Sequence, residues 1–295
     1  MKKAHLLIVT AIVCVQISAK AIDMRDTSYL VTLKNTPTYN RTEHQTYPAF
    51  TYQNKNAPEL INLRKEFKLD SIAGRGSEVD KAIRLLGWFH RQVPHEDVRS
   101  VAVLTTENII NSYRTKKTGQ GCYPLSIAMN EIFLAMGFKS RTVICFSNNY
   151  IPNGGHVINS LYIDSLKKWI YMDPQENAYI KDEKGNFLSV AEVRERLVNG
   201  QPLVLNASAD YHGVPATKAD YLYNFIAQHL YRIICPVNSA YNSQTRLSGN
   251  VLRYVELLPA GSTDPLTDNF ETSTHQDFQV INYHTNNDLL FWQNP

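Results

Sequence analysis

Apolar residues recur along this chain in two rhythms, first helical and then extended. Val79, Ile83, Leu86, Phe89 and Val93 follow one another three or four apart, which places them on one face of a helix. Ser77-Glu78-Val79-Asp80 resembles a capping box at its start, and Pro94 ends it. A short helix is expected from Glu59 to Phe67, behind Pro58, and another from Thr106 to Tyr113. Gly119-Gln120-Gly121 then breaks the chain, and Cys122 opens the next helix. Ile127, Ile132, Phe133 and Met136 form its apolar stripe, and Gly137 stops it.

Beyond Gly137 the rhythm shortens. Ser140 to Phe146, His156 to Ile163 and Lys168 to Met172 read as strands, with Asp164 to Lys167 as the turn between the last two. Pro174 ends the third strand, because proline lacks a ladder donor. Residues 181–186 form a charged turn. Ser189 caps a helix running to Asn199, with Val190, Val193, Leu197 and Val198 on one side and Gly200 closing it. The remainder, 201–295, looks strand-rich, with strands expected at Arg253 to Leu258 and Gln279 to His284. Residues 22–58 are polar and read as an extended segment with edge strands. The fold class is therefore α+β, with no internal repeat and no low-complexity segment.

The first 21 residues are expected to lie outside the fold. Lys2 and Lys3 form a basic start, Leu6 to Ile17 is an apolar run broken only by Thr10 and Gln16, and Ala19-Lys20-Ala21 is an A-x-A cleavage signal. This reads as a secretory leader, and the run is too short to span a bilayer. Cys14 follows Val13, where a lipoprotein signal wants a small residue, so lipid attachment is discounted. The expected location is secreted or periplasmic.

Removing the leader changes the charge argument. The full chain carries 30 basic and 27 acidic residues, a net charge of +3. The leader takes Lys2, Lys3 and Lys20 and no acid, which leaves 27 of each sign and no net charge. That balance gives no basic surface for nucleic acid and no membrane partner after cleavage. Of the four cysteines, Cys122, Cys145 and Cys235 remain. Cys145 and Cys235 either pair or pack as buried thiols, the reading that suits free cysteine. Neither the cysteines nor the nine histidines show a zinc-ligand spacing. His90 and His95 are five apart, wrong for one helical face, and are read as structural or groove-lining. No metal and no cofactor is expected.

Cys122, His156 and Asp173 are the chemical types of a thiolate nucleophile, its base and the base's orienter. A helix N-terminus lowers a thiol pKa and offers backbone N–H groups to an oxyanion. Taken singly, each has a plainer reading: a buried cysteine, a packed histidine, an Asp-Pro turn. The proposed hairpin links two of them. With a two-residue turn at Asp164-Ser165, opposed residues have numbers summing to 329, which sets His156 directly across from Asp173. Gln120 and Trp88 are the candidate side-chain oxyanion donors beside the Cys122 N–H. Their plainer readings are a loop residue and a packed core aromatic.

Together these residues form a recognisable pattern. G-x-C-x₄-A, M-G-F-x-x-R, G-H-V and K-W-I-Y-M-D-P occur in order through Gly121, Cys122, Ala128, Met136, Gly137, Phe138, Arg141, Gly155, His156, Trp169, Asp173 and Pro174. The chain thereby resembles the transglutaminase-like superfamily, and its later motifs fit a secreted bacterial branch. The resemblance covers residues 77–206 well. It implies a papain-like core, a catalytic helix packed on an antiparallel sheet, with a Cys-His-Asp triad, and for Trp88 the indole donor role of classical transglutaminases. Many members have His-Ala-Trp and Asp-Pro-Thr where this chain has His156-Val157-Ile158 and Asp173-Pro174-Gln175. Neither departure removes a triad member.

The expected organisation is a leader at 1–21, an N-terminal elaboration at 22–75, the transglutaminase-like core at 76–206 and a strand-rich elaboration at 207–295. The expected function is a secreted cysteine-dependent acyl-transfer enzyme on amide or peptide bonds, with a protein or peptide substrate. Hydrolysis is favoured over transamidation, which must hold water back from the thioacyl intermediate. The alternative is a non-catalytic peptide- or glycan-binding module on the same fold.

Overall fold

The computed structural model describes residues 28–42, 47–98, 101–148, 154–261, 270–275 and 278–295. The leader and Cys14 lie outside them. Three of the expected strands form a meander: β1 (Lys139–Phe146), β2 (His156–Ile163) and β3 (Lys168–Met172). Four later strands extend the same sheet: β4 (Arg232–Pro236), β5 (Asn250–Leu257), β6 (Phe270–Thr274) and β7 (Phe278–Thr285). The order across the sheet is β6-β7-β5-β4-β1-β2-β3. Neighbours are antiparallel except β5 and β7, which run parallel.

Every residue of β2 is buried. It is a central strand covered on both faces, so apolar and polar positions need not alternate. One face carries Leu161, Ile163, Ile170 and Met172. These pack with helices α2 (Pro58–Glu66), α3 (Leu69–Ala73), α4 (Glu78–His90), α5 (Thr106–Lys116) and α6 (Cys122–Ala135). The other face carries Val143, Ile158, Tyr171 and Val255. There α1 (Ser28–Lys34), α7 (Val190–Val198) and a π-helix (Ala219–Ile226) cover it.

Local rules account for the helix starts. At Ser77 the hydroxyl accepts from the Asp80 N–H while the Asp80 carboxylate accepts from the Ser77 N–H, and Ser189 with Glu192 does the same. Two expectations need correction. Residues 28–34, read as part of an extended segment, are helical. Leu30 and Leu33, three apart and each 1% exposed, pin that turn against the second core. And α6 carries no stripe: Leu125 through Ala135 are all buried. It lies between the sheet and α2, α4 and α5, so a face that a surface helix would leave in water is covered as well. Its polar residues are tied down inside. Ser126 donates to the Val157 carbonyl at 2.7 Å. Glu131 accepts from the Thr106 N–H and hydroxyl and from the Asn242 N–H.

The hairpin register also differs from expectation. Asn159 faces Met172 and Ile163 faces Lys168, so opposed numbers sum to 331, not 329. The turn is four residues long, with Lys167 left-handed at φ 50° and Leu166 N–H donating to Ile163 O. The slip is two residues. Because strand side chains alternate with period two, a two-residue slip keeps each one on its face. His156 and Asp173 therefore share a face but stand diagonally.

Two other buried groups bear on the sequence reading. Cys145 and Cys235 are buried free thiols. Arg141 is 1% exposed and lies in an aromatic cage, with its guanidinium 3.9 Å from the Phe50 ring centroid and 4.4 Å from that of Trp169. It donates to the Tyr52 hydroxyl and the Phe291 carbonyl, which ties two segments distant in sequence to β1.

Candidate active site

Cys122 sits at the first position of α6, with Gly121 as N-cap in an extended conformation. No side chain caps that end, so the first N–H groups and the positive pole of the helix are free to act on the sulfur. The two glycines before it do different work. A Cβ on Gly119 would come within 2.4 Å of the Pro94 carbonyl oxygen, whereas one on Gly121 would meet nothing closer than 3.7 Å. Gly155, which precedes His156, is also sterically required, since its Cβ would strike the Phe146 ring at 2.6 Å and the Cys145 carbonyl at 2.8 Å.

The helix N-terminus meets the start of β2. There His156 and the Val157 N–H both favour the thiolate form of Cys122. His156 Nε2–H donates to Asp173 Oδ2 at 2.7 Å, and the two side chains are 2% and 0% exposed. With Nε2 engaged, Nδ1 is left for the thiol. Asp173 is saturated with donors. Oδ2 also accepts from the Tyr221 hydroxyl at 2.6 Å, and Oδ1 accepts from the backbone N–H groups of Gln175 and Glu176.

The charges follow from this geometry. Burial disfavours the Cys122 thiolate, but the bonds from His156 and His95, the His156 charge and the Val157 N–H outweigh it and bring the thiol down to about 6. Burial likewise disfavours the His156 cation, yet the Asp173 carboxylate and the Cys122 sulfur raise it to about 10. Burial pushes Asp173 up, and the His156 charge and hydrogen bonds bring it below its ordinary value. A thiolate–imidazolium pair is thus the resting form between those two limits, and the titration belongs to the pair rather than to either residue.

Residues 65–174 match the Transglutaminase-like superfamily model. That matched stretch contains Cys122, His156 and Asp173 together with α3 to α6 and the β1–β3 meander. No curated protein matches the chain. Among solved structures, a candidate cysteine protease from Cytophaga hutchinsonii is similar at 14% identity and a TM-score of 0.30, over 57% of this chain and 57% of that one. The chain thus spans little more than half the length of that protein. The fold is α+β with a transglutaminase-like core, and the family match supports a cysteine-type enzyme.

The structure brings Cys122, His156 and Asp173 together, and Gln120 beside them. Gln120 is fully buried, and its backbone pairs with His95 in a parallel bridge. Trp88 packs against Phe67 instead, at 5.9 Å between ring centroids, within the helical core. That is the packed aromatic of its plainer reading.

Several site residues carried no recognisable signal. Tyr221 lies 48 residues beyond Asp173, on the π-helix, an element with no sequence signature and frequent at functional sites. Its neighbour Phe225 packs on the His156 ring at 4.7 Å. His229 lies behind, and burial and the His156 charge hold it down to about 4, so it is neutral at physiological pH. Glu176 is 7% exposed, and burial and the Asp173 charge push it up to about 7. His95 was visible in the sequence but read as structural or groove-lining. It is a second imidazole that favours the Cys122 thiolate. Among the described residues, no group of three His, Cys, Asp or Glu side chains is arranged to hold a metal ion.

Proposed function

We propose that this chain is a cysteine acyl-transfer enzyme acting on amide or peptide bonds. The observation that carries the reading is the buried His156–Asp173 hydrogen bond at 2.7 Å, set beside a cysteine at the N-terminus of α6 whose thiol His156 draws down. The Cys122 thiolate attacks the carbonyl carbon. The charge that develops on oxygen is met by the Cys122 N–H at the helix start and by Gln120 as side-chain donor. His156, already protonated, gives its proton to the leaving amine as the C–N bond breaks. It then takes a proton from the acceptor that attacks the thioester. Asp173 holds the tautomer and stabilises the imidazolium throughout.

Water as acceptor makes the enzyme a peptidase or amidase, and a lysine amine makes it a transamidase. We favour water, because transamidation further requires water to be kept from the thioester. The substrate is a protein or peptide. The leader pattern of residues 1–21 supports action outside the cytoplasm, secreted or periplasmic. The wild type and Cys122→Ala are compared by mass spectrometry on a peptide library, with and without a fluorescent primary amine. Cleavage that needs Cys122 is expected. Amine incorporation in its place overturns the choice of acceptor, and no Cys122-dependent turnover on any peptide or amide overturns the enzyme reading.

A further inference from the structure

Two imidazoles favour the Cys122 thiolate, and the line to Asp173 uses one. The second, His95, follows α4 in the segment that leads away from it. Gln120 N–H donates to Pro94 O at 3.1 Å, and Glu96 N–H donates to Gln120 O at 3.0 Å. These bonds make the parallel bridge that sets His95 beside Gln120. Gly119 permits it, since any Cβ there would collide with the Pro94 carbonyl and the Glu96 side chain. The sequence around the cysteine is therefore built to bring His95 alongside it. The imidazole is 8% exposed.

The ring is also oriented. His95 Nδ1 is 3.0 Å from the Tyr211 hydroxyl, and the two rings pack with centroids 5.7 Å apart. Nε2 lies 3.5 Å from the carboxylate of Asp97, a 98% exposed side chain. With Nδ1 engaged by Tyr211, Nε2 is left for the sulfur. Its neighbours, carboxylate and thiolate, are both acceptors, so the N–H belongs on Nε2 and Nδ1 accepts from the Tyr211 O–H. Tyr211 stands on a small hairpin, Asp210–Tyr211 with Val214–Pro215. That hairpin is fixed to the site from two sides. Asp210 pairs with His90 Nε2 at 3.2 Å, and the Asp210 N–H donates to the carbonyl of Glu176, in the turn after Asp173. The charged and titratable groups facing His95 are then Cys122, Asp97, Tyr211 and, through its field, Glu176.

We propose that His95 is a second catalytic imidazole, donating a hydrogen bond to the Cys122 thiolate, with Tyr211 as the positioning residue that sets its tautomer. This rests on Cys122 being the nucleophile. The division of labour follows from the partners. His156 is bound to a buried carboxylate and moves the proton. His95 is bound to a neutral phenol and keeps its own, holding charge on sulfur as a fixed donor. The hairpin thereby becomes a handle on the thiolate, since any substrate that shifts Tyr211 changes the hold on sulfur.

The test is the rate of iodoacetamide alkylation against pH in the full chain, with Cys122→Ala as the background for the other three cysteines. Wild type, His95→Ala, Tyr211→Phe and His156→Ala are compared, each checked for an unchanged melting profile. His95→Ala is expected to raise the inflection by about one pH unit, roughly a tenfold loss of rate below it, as expected for one hydrogen bond to a charged group. Tyr211→Phe, which removes one surface hydroxyl and cannot unfold the core, is expected to move the inflection the same way by less. His156→Ala is expected to move it furthest. A low wild-type inflection left in place by both His95→Ala and Tyr211→Phe overturns the role of His95 alone. A wild-type inflection near the ordinary thiol value of about 8.5 overturns the nucleophile reading beneath it.

Discussion

Tyr221→Phe removes one oxygen atom from the interior and leaves the ring in place. That hydroxyl donates to Asp173 Oδ2 at 2.6 Å and is 2.7 Å from the Tyr171 hydroxyl, with all three side chains buried. Asp173 would keep its bonds from His156, Gln175 and Glu176 but lose one of four donors. A hydrogen bond to a charged group contributes about 1.5–3 kcal/mol, and a buried hydroxyl left without a partner costs about 1–3 kcal/mol. The substitution strips Tyr171 of its partner as well, so a loss of roughly 2.5–6 kcal/mol is expected. Tyr171→Phe removes only the bond between the two phenols, about 0.5–1.5 kcal/mol. The double variant leaves no orphaned Tyr171 hydroxyl. It should therefore be no less stable than Tyr221→Phe alone, a departure from additivity that a double-mutant cycle in urea resolves. The reasoning fails if Tyr221→Phe lies within about 0.5 kcal/mol of wild type, or if Tyr171→Phe is the costlier change.

Three further outcomes are expected. Asp173→Asn keeps the shape of the site but removes the charge that raises His156, so the alkylation inflection of Cys122 rises above 6 and Cys122-dependent turnover falls about a hundredfold or more; turnover within threefold of wild type counts against it. Burial raises Glu131 to about 8, above its unfolded value of about 4.3. The fold then binds the proton more tightly than the unfolded chain, so this stability is complete below about 4.3 and is lost as pH rises through 8, at up to about 1.4 kcal/mol per pH unit. Urea unfolding across pH 5–8 should show that decline in wild type and a flatter one in Glu131→Gln, and parallel curves would refute it. Arg141→Met gives up the Phe50 and Trp169 faces and two buried hydrogen bonds, and should cost about 2–4 kcal/mol. Arg141→Lys should recover little of it, because an ammonium cannot span both acceptors; full rescue by lysine, read from melting, would contradict that account.

Some of this was legible along the chain because local physics decides it. The capping boxes at Ser77 and Ser189, the strand starts at His156 and Lys168, and the opening of α6 at Cys122 depend on residues within a few positions of each other. The pairing of His156 with Asp173 was half legible. The turn at residues 164–167 was as expected, but the pairing worked from a two-residue turn was two positions out, and the face was still right because strand side chains repeat every second residue. The helix at Ser28–Lys34 was not legible, since its two leucines find their partners only across the sheet.

What surrounds the sulfur belongs to neither category alone. The order of Cys122, His156 and Asp173 was written in the sequence, and with it the chemistry those three residue types permit. The donors that set their charges were not. His95 arrives through a bridge to Gln120, Tyr211 through a hairpin, and Tyr221 on a π-helix far along the chain. Hydrogen bonds act over about 3 Å of space. Sequence alone sets neighbours only along the backbone, whereas the bridge, the hairpin and the π-helix carry these distant residues to His95 and Asp173.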